Sequence, residues 1–387
     1  MNLPTTPHTA TAAASPPPNL VFGPRHYVPI LKGKRGEYTA LEKIQTVDED
    51  LFTPLIEIPF ISQHASEANQ NVKKHLDKHA GTAKKPGYIP KAWGTRRRLM
   101  LDLGLMDPAA RAPGGIHPVE YLGNQLAGLG VLAVPVFGFE RNQDFWNAVK
   151  SRVQADNLGV CFRLSASAGS IPPPPKAEFD RALTFLGLKP ADCDIVLDFE
   201  AILPKNAGSI ALAAIGAINT LPYVQNWRTL TVAATAFPEN MTAAKISANS
   251  KATRSREEWT MWKTLLASSP TREPAFGDYA IAHPDIPDID PKLMFSMMSA
   301  NIRYTTDDEW LIVRGTQVQK AGNRQYRTLA QNLVADHHFK GRAFSWGDQY
   351  VDDCARGNAS PGSAEKWRSV GTNHHVTLVS RQVANHP

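Results

Sequence analysis

Four carboxylates, Glu57, Asp102, Asp198 and Glu200, stand within or at the end of otherwise apolar runs of the sequence. Four cations, Lys32, Lys34, Arg141 and Arg163, occupy comparable places. Burying such a charge is costly unless it is paired or used. Charges placed at one end of many strands therefore point to a ligand mouth. Two chemistries fit the set. In one, the carboxylates hold a divalent metal, Mg or Mn, through hard oxygens while the cations hold a phosphate, as a metal-dependent phosphodiesterase or other hydrolase would. In the other no metal takes part: the cations bind an anionic ligand, and a lysine or carboxylate does acid–base work. A lysine Schiff base is a third option, but nothing marks one lysine as desolvated. Against all three stands a purely structural account, in which Glu57, Asp102 and Asp198 pair with Lys32, Arg163 or Arg98 to fix a barrel interior.

Around this set lie further candidates. His283 follows an apolar run and is a candidate general base. Asp278 and Tyr279 sit inside the same run, and Arg303 and Arg314 lie on the arms of a later hairpin, all four as ligand-binding candidates. The pairs His337-His338 and His374-His375 look like metal spacings, yet adjacent histidines on a helix point about 100° apart and rarely chelate one ion. The sequence has no GxSxG, HExxH or P-loop. In "FSWGDQY" (344–350), Ser345 or Asp348 reads as a helix N-cap.

The elements that must position these residues are eight β-like runs. They are YVPIL (27–31), PLIEI (54–58), RLMLDLGL (98–105), VLAVPVFGF (131–139), VCFRLSA (160–166), DIVLDFE (194–200), TLTVAAT (229–235) and FGDYAIA (276–282). Most are continuously apolar, as parallel strands buried on both faces are. Helix-like segments lie between them, at a spacing that suits βα units. The pattern predicts a (β/α)8 TIM-like barrel over residues 21–290. A doubly wound open sheet is the rival, but GKRG (33–36) lacks the GxGxxG spacing that fold would want. Residues 291–387 read as a C-terminal hairpin and helix extension packed on the barrel, the hairpin lying in "ANIRYTTDDEWLIVRGT" (300–316). The Pro-, Ala- and Thr-rich residues 1–20 read as a disordered tail.

Bulk properties narrow the field modestly. The net charge of +6 permits anionic partners without demanding them. The densest basic cluster, Arg96-Arg97-Arg98, reads as a solvated loop and strand edge. Three scattered cysteines form neither a CxxC site nor an even disulfide framework, which fits buried thiols in a reducing cytoplasm. No run of 18 apolar residues suggests a membrane span.

"YVPILKGKRGEYTAL" (27–41) is the most specific stretch. If its strand runs through residue 34, Lys32 and Lys34 share a face toward the mouth. Gly33 and Gly36 then let the backbone bend, and Glu37 complements the dipole of the next helix and holds Arg35. This stretch, with "PLIEI", "FGDYAI", "NIRYTT", "FSWGD" and "WRSVGTNHHVTLV", resembles the phage-type beta protein family, found in phages and bacterial genomes. The resemblance runs from Tyr27 to about Gln382. It implies a role in phage–host conflict, such as anti-phage defence, or another mobile-element process, and brings no catalytic residues with it. The expectation is a protein acting on or binding a phosphate-bearing ligand, a nucleotide or nucleic acid. The alternative is a non-catalytic binder of a signalling nucleotide or of a phage or host protein.

Overall fold

The computed structural model describes residues 21–66, 70–166, 169–241 and 243–387. The predicted tail, residues 1–20, lies outside them. Eleven strands are present among the described residues: β1 (Tyr27–Leu31), β2 (Leu55–Glu57), β3 (Arg98–Asp102), β4 (Leu132–Phe137), β5 (Val160–Ser165), β6 (Cys193–Ala201), β7 (Thr229–Thr235), β8 (Ser250–Ser255), β9 (Ala275–Asp278), β10 (Ser299–Thr305) and β11 (Glu309–Gln317). Strands β1 to β7 and β9 close a barrel, parallel throughout, with β9 pairing to β1 and β7. The eight-stranded TIM-like barrel expected from the apolar runs is the fold observed. The predicted hairpin is β10 and β11, paired antiparallel.

Strand parity explains what the barrel holds. Val28, Ile30, Leu55, Met100, Val134, Val136, Cys161, Val196 and Ala233 form an apolar cluster inside it. Their neighbours of opposite parity, such as Leu31, Ile56, Leu101, Phe162 and Leu197, join the larger core between strands and helices. Both faces are therefore buried, and the strands read as continuous apolar runs rather than alternating ones. Two residues beyond the inward Ile30, Leu55, Met100, Cys161 and Val196 come Lys32, Glu57, Asp102, Arg163 and Asp198. The period of two puts all five inside the barrel, one layer nearer its C-terminal end.

The C-terminal extension is woven into the barrel. β8, from the connection between β7 and β9, pairs antiparallel with β11 and completes a three-stranded sheet. The last helix, Ala364–Ala384, is capped by Ser363, whose hydroxyl accepts from the Lys366 amide. It returns to the barrel, and its Val376, Leu378, Val379 and Val383 belong to the main core. It thereby serves as the eighth helix of the barrel. Gly36, at the start of the helix Arg35–Glu42, sits so close that a Cβ there would lie 3.2 Å from the Glu365 carbonyl and the Arg368 side chain.

Three consecutive residues of that helix fasten the parts together. Asn373 donates to the Ala40 carbonyl and accepts from the Gly347 amide. His374 bridges Asp348 and the Thr305 carbonyl, each at 2.8 Å. His375 reaches Asp278 and Tyr27 at 3.0 Å and Thr305 Oγ1 at 2.8 Å. The two imidazoles diverge as helix geometry requires, so the pair chelates nothing and instead ties the barrel to the added sheet. Ser345 is the N-cap of the helix Trp346–Arg356, as expected, and Asp348 accepts from Ser345, Tyr304 and His374. All three cysteines are free and buried, and no helix among the described residues is long and apolar enough to cross a membrane.

Two buried histidines set an acid limit on this fold. Burial lowers the pKa of His26, against Thr53, to about 4, and that of His79, against Tyr38, to about 3. Both are neutral when folded, whereas the unfolded chain takes up protons near pH 6.5. Their contribution is complete above that pH and is lost as pH falls toward 4 and then 3. It is worth on the order of 3 kcal/mol or more for each at full titration. Urea midpoints should fall between pH 7.5 and 5, and His26→Gln with His79→Gln should flatten that dependence.

Candidate functional site: the charged barrel mouth

The inner layer of the mouth is a closed set of ion pairs around Arg163. Its Nη1 donates to Glu57 Oε1 and Asp102 Oδ2, both at 2.8 Å. Nη2 donates to Asp198 Oδ2 at 2.6 Å and to the Tyr279 hydroxyl at 2.8 Å, and Nε reaches Asp198 at 3.0 Å. The Tyr279 hydroxyl in turn donates to Asp198 at 2.6 Å. Lys32 pairs with Glu57 at 2.5 Å and lies over the Tyr279 ring. Arg141 completes the layer, 3.3 Å from Asp102 and 2.5 Å from Glu140. It can do so because residue 104 is glycine: a Cβ there would fall 1.6 Å from the Arg141 guanidinium.

The electrostatics follow from this geometry. Burial alone would raise the pKa of Asp102, but Arg141, Arg163 and the Gly104 amide outweigh it and hold the carboxyl at about 2. Burial likewise opposes the charge on Arg163, and Tyr279 with the three carboxylates reverses that and stabilises the cation. Lys32, Arg141 and Arg163 thus balance Glu57, Asp102 and Asp198, three charges against three. Glu57, Asp102 and Asp198 do not suit a divalent metal, because the Arg163 guanidinium already occupies the point where their oxygens converge. Among the described residues, the group whose ligand atoms come together is Asp336, His337 and His338, well away from this layer. There Asp336 is already held by Lys251 and by His338.

Above the floor the balance changes. Arg303 on β10 and Arg368 on the last helix both donate to the Ile281 carbonyl, at 2.7 and 3.1 Å. Among the described residues, neither has a carboxylate within ion-pair distance. Burial and the neighbouring Arg368 push the Arg303 pKa well down. Burial lowers Arg368 too, against the pull of Glu37. Arg303 also lies over the Phe237 ring, 4.7 Å from its centre. Lys34 is exposed at the N-cap of the helix Arg35–Glu42, and its pKa is lowered by desolvation and by Arg368, Lys32 and Arg303. Three cations therefore share this rim with one buried carboxylate, Glu37, which accepts from the Lys34 amide at 3.2 Å. Glu200 is the other acid here, half-buried, with φ +55° and its amide on Asp198 Oδ1. Burial first, then Asp198 and Asp285, raise its pKa.

The structure brings together Lys32, Glu57, Asp102, Arg141, Arg163, Asp198, Glu200 and Tyr279, with Lys34 and Arg303 above them. It separates the rest. Asp278 has the opposite strand parity from Tyr279 and faces the last helix, where it accepts from Tyr27, His375 and the Ala280 amide. Arg314 serves the added sheet, bonded to Ser299 and to backbone carbonyls near residue 246. His283 accepts the Asp285 amide at Nδ1, which leaves Nε2 as a donor rather than a base. The strand β1 stops at Leu31, so Lys34 reaches the rim as a cap residue rather than as part of a strand. Gly33 makes that turn at φ +59°. Arg35 pairs with Glu365 rather than Glu37.

Sequence reasoning missed Arg368. Its signal was available: Arg368 lies seven residues before His375, so a helix puts both on one face. What hid it is the distance along the chain between the last helix and the barrel mouth it packs on.

The family model described as Beta protein matches residues 27–381. The chain belongs to the Beta protein family. The stretches that carried the resemblance meet in two places in this Beta protein: Asp278, Thr305, Asp348 and the two histidines in the fastening, Lys32, Lys34, Tyr279, Arg303 and Arg368 at the mouth. No curated protein matches the chain. Among solved structures, the chain is similar to type I 3-dehydroquinate dehydratase from Clostridium difficile. The identity is 13% and the TM-score 0.35, over 69% of this chain and 88% of that one. No chemistry is carried over from that enzyme to this Beta protein.

Proposed function

We propose that this protein binds a phosphate-bearing ligand at the barrel mouth, with the phosphate on Lys34, Arg303 and Arg368 above the paired floor. The observation that carries the reading is the meeting of two half-buried guanidiniums at one carbonyl oxygen, with no carboxylate of the described residues at ion-pair distance. Like charges held together out of water are unfavourable, and an anion between them relieves the repulsion and accepts charge-assisted hydrogen bonds from both. Arg163, expected to be a phosphate ligand, is instead spent on the floor, where it keeps three carboxylates from repelling the anion. A nucleotide or the phosphates of a nucleic acid suit the rim.

A second reading is phosphoester hydrolysis, favoured by Glu200. It is a half-buried mouth carboxylate outside the ion-pair set, and its raised pKa suits proton transfer. Its left-handed backbone is also a strained conformation for a residue with a side chain. In that case Glu200→Gln abolishes turnover and leaves binding intact.

The test is a thermal-shift titration with inorganic diphosphate and with nucleotides. The melting temperature should rise with concentration, by the equivalent of about 2.7 kcal/mol at a hundredfold excess over Kd. The rise should shrink as salt is added. A flat response to every phosphate-bearing ligand up to millimolar concentration overturns the proposal.

A further inference from the structure

Next to the cationic rim lies a cavity of about 460 Å³, between the ends of β6 and β7 and the strand β8. Two residues join it to the rim. Phe237 lines the cavity and carries Arg303 on its ring face. His283 lines it too, two residues along from the Ile281 carbonyl that holds both arginines. The cavity's walls are mixed in a particular way. Ile202, Ala236, Phe237 and Ala244 make apolar surface, while Glu239, Glu257 and Glu309 bring carboxylates to the same space beside Lys205 and Arg254, the latter bonded to the Thr253 and Ala244 carbonyls.

We infer that this cavity is the subsite for the organic half of the ligand, and that this half is a nucleoside. The inference rests on the rim reading. A cavity of this volume is in the range that encloses a small organic ligand. A flat base packs against apolar walls and the Phe237 side of the cavity. The carboxylates accept hydrogen bonds from ribose hydroxyls and exocyclic amines, and His283, with Nε2 as its donor, faces an acceptor. An acyl chain would gain nothing from the charged walls, and a bare phosphate would leave the apolar ones unused. The arrangement therefore separates a charged end, over the β1 and β9 side of the mouth, from a hydrogen-bonding apolar end, over the β6 and β7 side.

The experiment is titration calorimetry of the full chain with inorganic diphosphate and with the diphosphates of adenosine, guanosine, cytidine and uridine. At least one nucleoside diphosphate should bind ten times more tightly than inorganic diphosphate, or better. Ala243→Trp and Ala201→Trp, at two exposed positions on the cavity wall, should each erase that advantage, so that the nucleotide binds no better than inorganic diphosphate. Two positions are used so that a folding defect in one variant does not decide the result. If no nucleoside diphosphate outbinds inorganic diphosphate, or if the advantage survives both tryptophans, the subsite is wrong and the rim reading stands. If inorganic diphosphate and nucleotides alike fail to bind the wild-type protein, the rim reading falls and the subsite with it.

Discussion

Arg163→Met should cost the protein on the order of 3–5 kcal/mol near neutral pH, the range found when one partner of a buried ion pair is removed. The expectation is at the upper end because one guanidinium serves three carboxylates and a phenol. Without it, Glu57, Asp102 and Asp198 face one another inside a barrel that excludes water, with Lys32 and Arg141 reaching only two of them. The loss should carry a pH signature. Protonation relieves the repulsion, so the deficit should be smaller at pH 5 than at pH 8, opposite in slope to the acid sensitivity set by His26 and His79. Arg163→Lys should recover less than half, because a single ammonium cannot reproduce the fork that reaches both sides of the barrel. Chemical denaturation of the three proteins at both pH values measures this. A deficit independent of pH would mean that packing, not charge, holds the floor together.

The second large effect concerns binding rather than stability. Arg303→Ala with Arg368→Ala should weaken diphosphate binding by a factor of about 100 or more, since a hydrogen bond from a charged group contributes about 1.5–3 kcal/mol. The same pair of substitutions should leave stability little changed. Each guanidinium gives up a hydrogen bond to the Ile281 carbonyl, and Arg303 a longer one to Asn301, but the two also stop repelling each other. Groups kept for folding lose stability when removed, whereas groups kept for a ligand lose the ligand. A double variant that melts many degrees lower and binds normally would assign the arginines to the fastening of the added sheet.

Strand parity decided how much of this was legible in the sequence. Lys32, Glu57, Asp102, Arg163 and Asp198 all fall two residues beyond an inward apolar residue, so a barrel inferred from eight apolar runs carries them inside. The same parity excluded Asp278, since Tyr279 beside it points inward, and a stricter count would have removed it. Arg163 was legible as a mouth residue and, in the structural account, as a partner of these carboxylates, but not as the one centre of all three, because pairing across β2, β3, β5 and β6 depends on how the barrel closes. The place of β8 in the added sheet was not legible either, as SKATRS has no apolar alternation and owes its strand form to β11. Arg368 was hidden because the contact between the last helix and the first spans more than 300 residues of chain. The only local signal is its seven-residue spacing to His375; the contact itself shows in the close approach at Gly36.

The most direct measurement is a crystal structure of the protein grown with a nucleoside diphosphate. The account predicts phosphate oxygens within 3.2 Å or so of the Arg303 and Arg368 guanidiniums, with Lys34 alongside and the Arg163 ion pairs unbroken beneath. The protein offers a rival basic surface: an open groove of about 740 Å³ lined by Lys73, Lys74, Lys78, Lys85 and Lys91. A diphosphate seated there, or one that displaces the carboxylates from Arg163, with the rim left empty, would contradict the assignment.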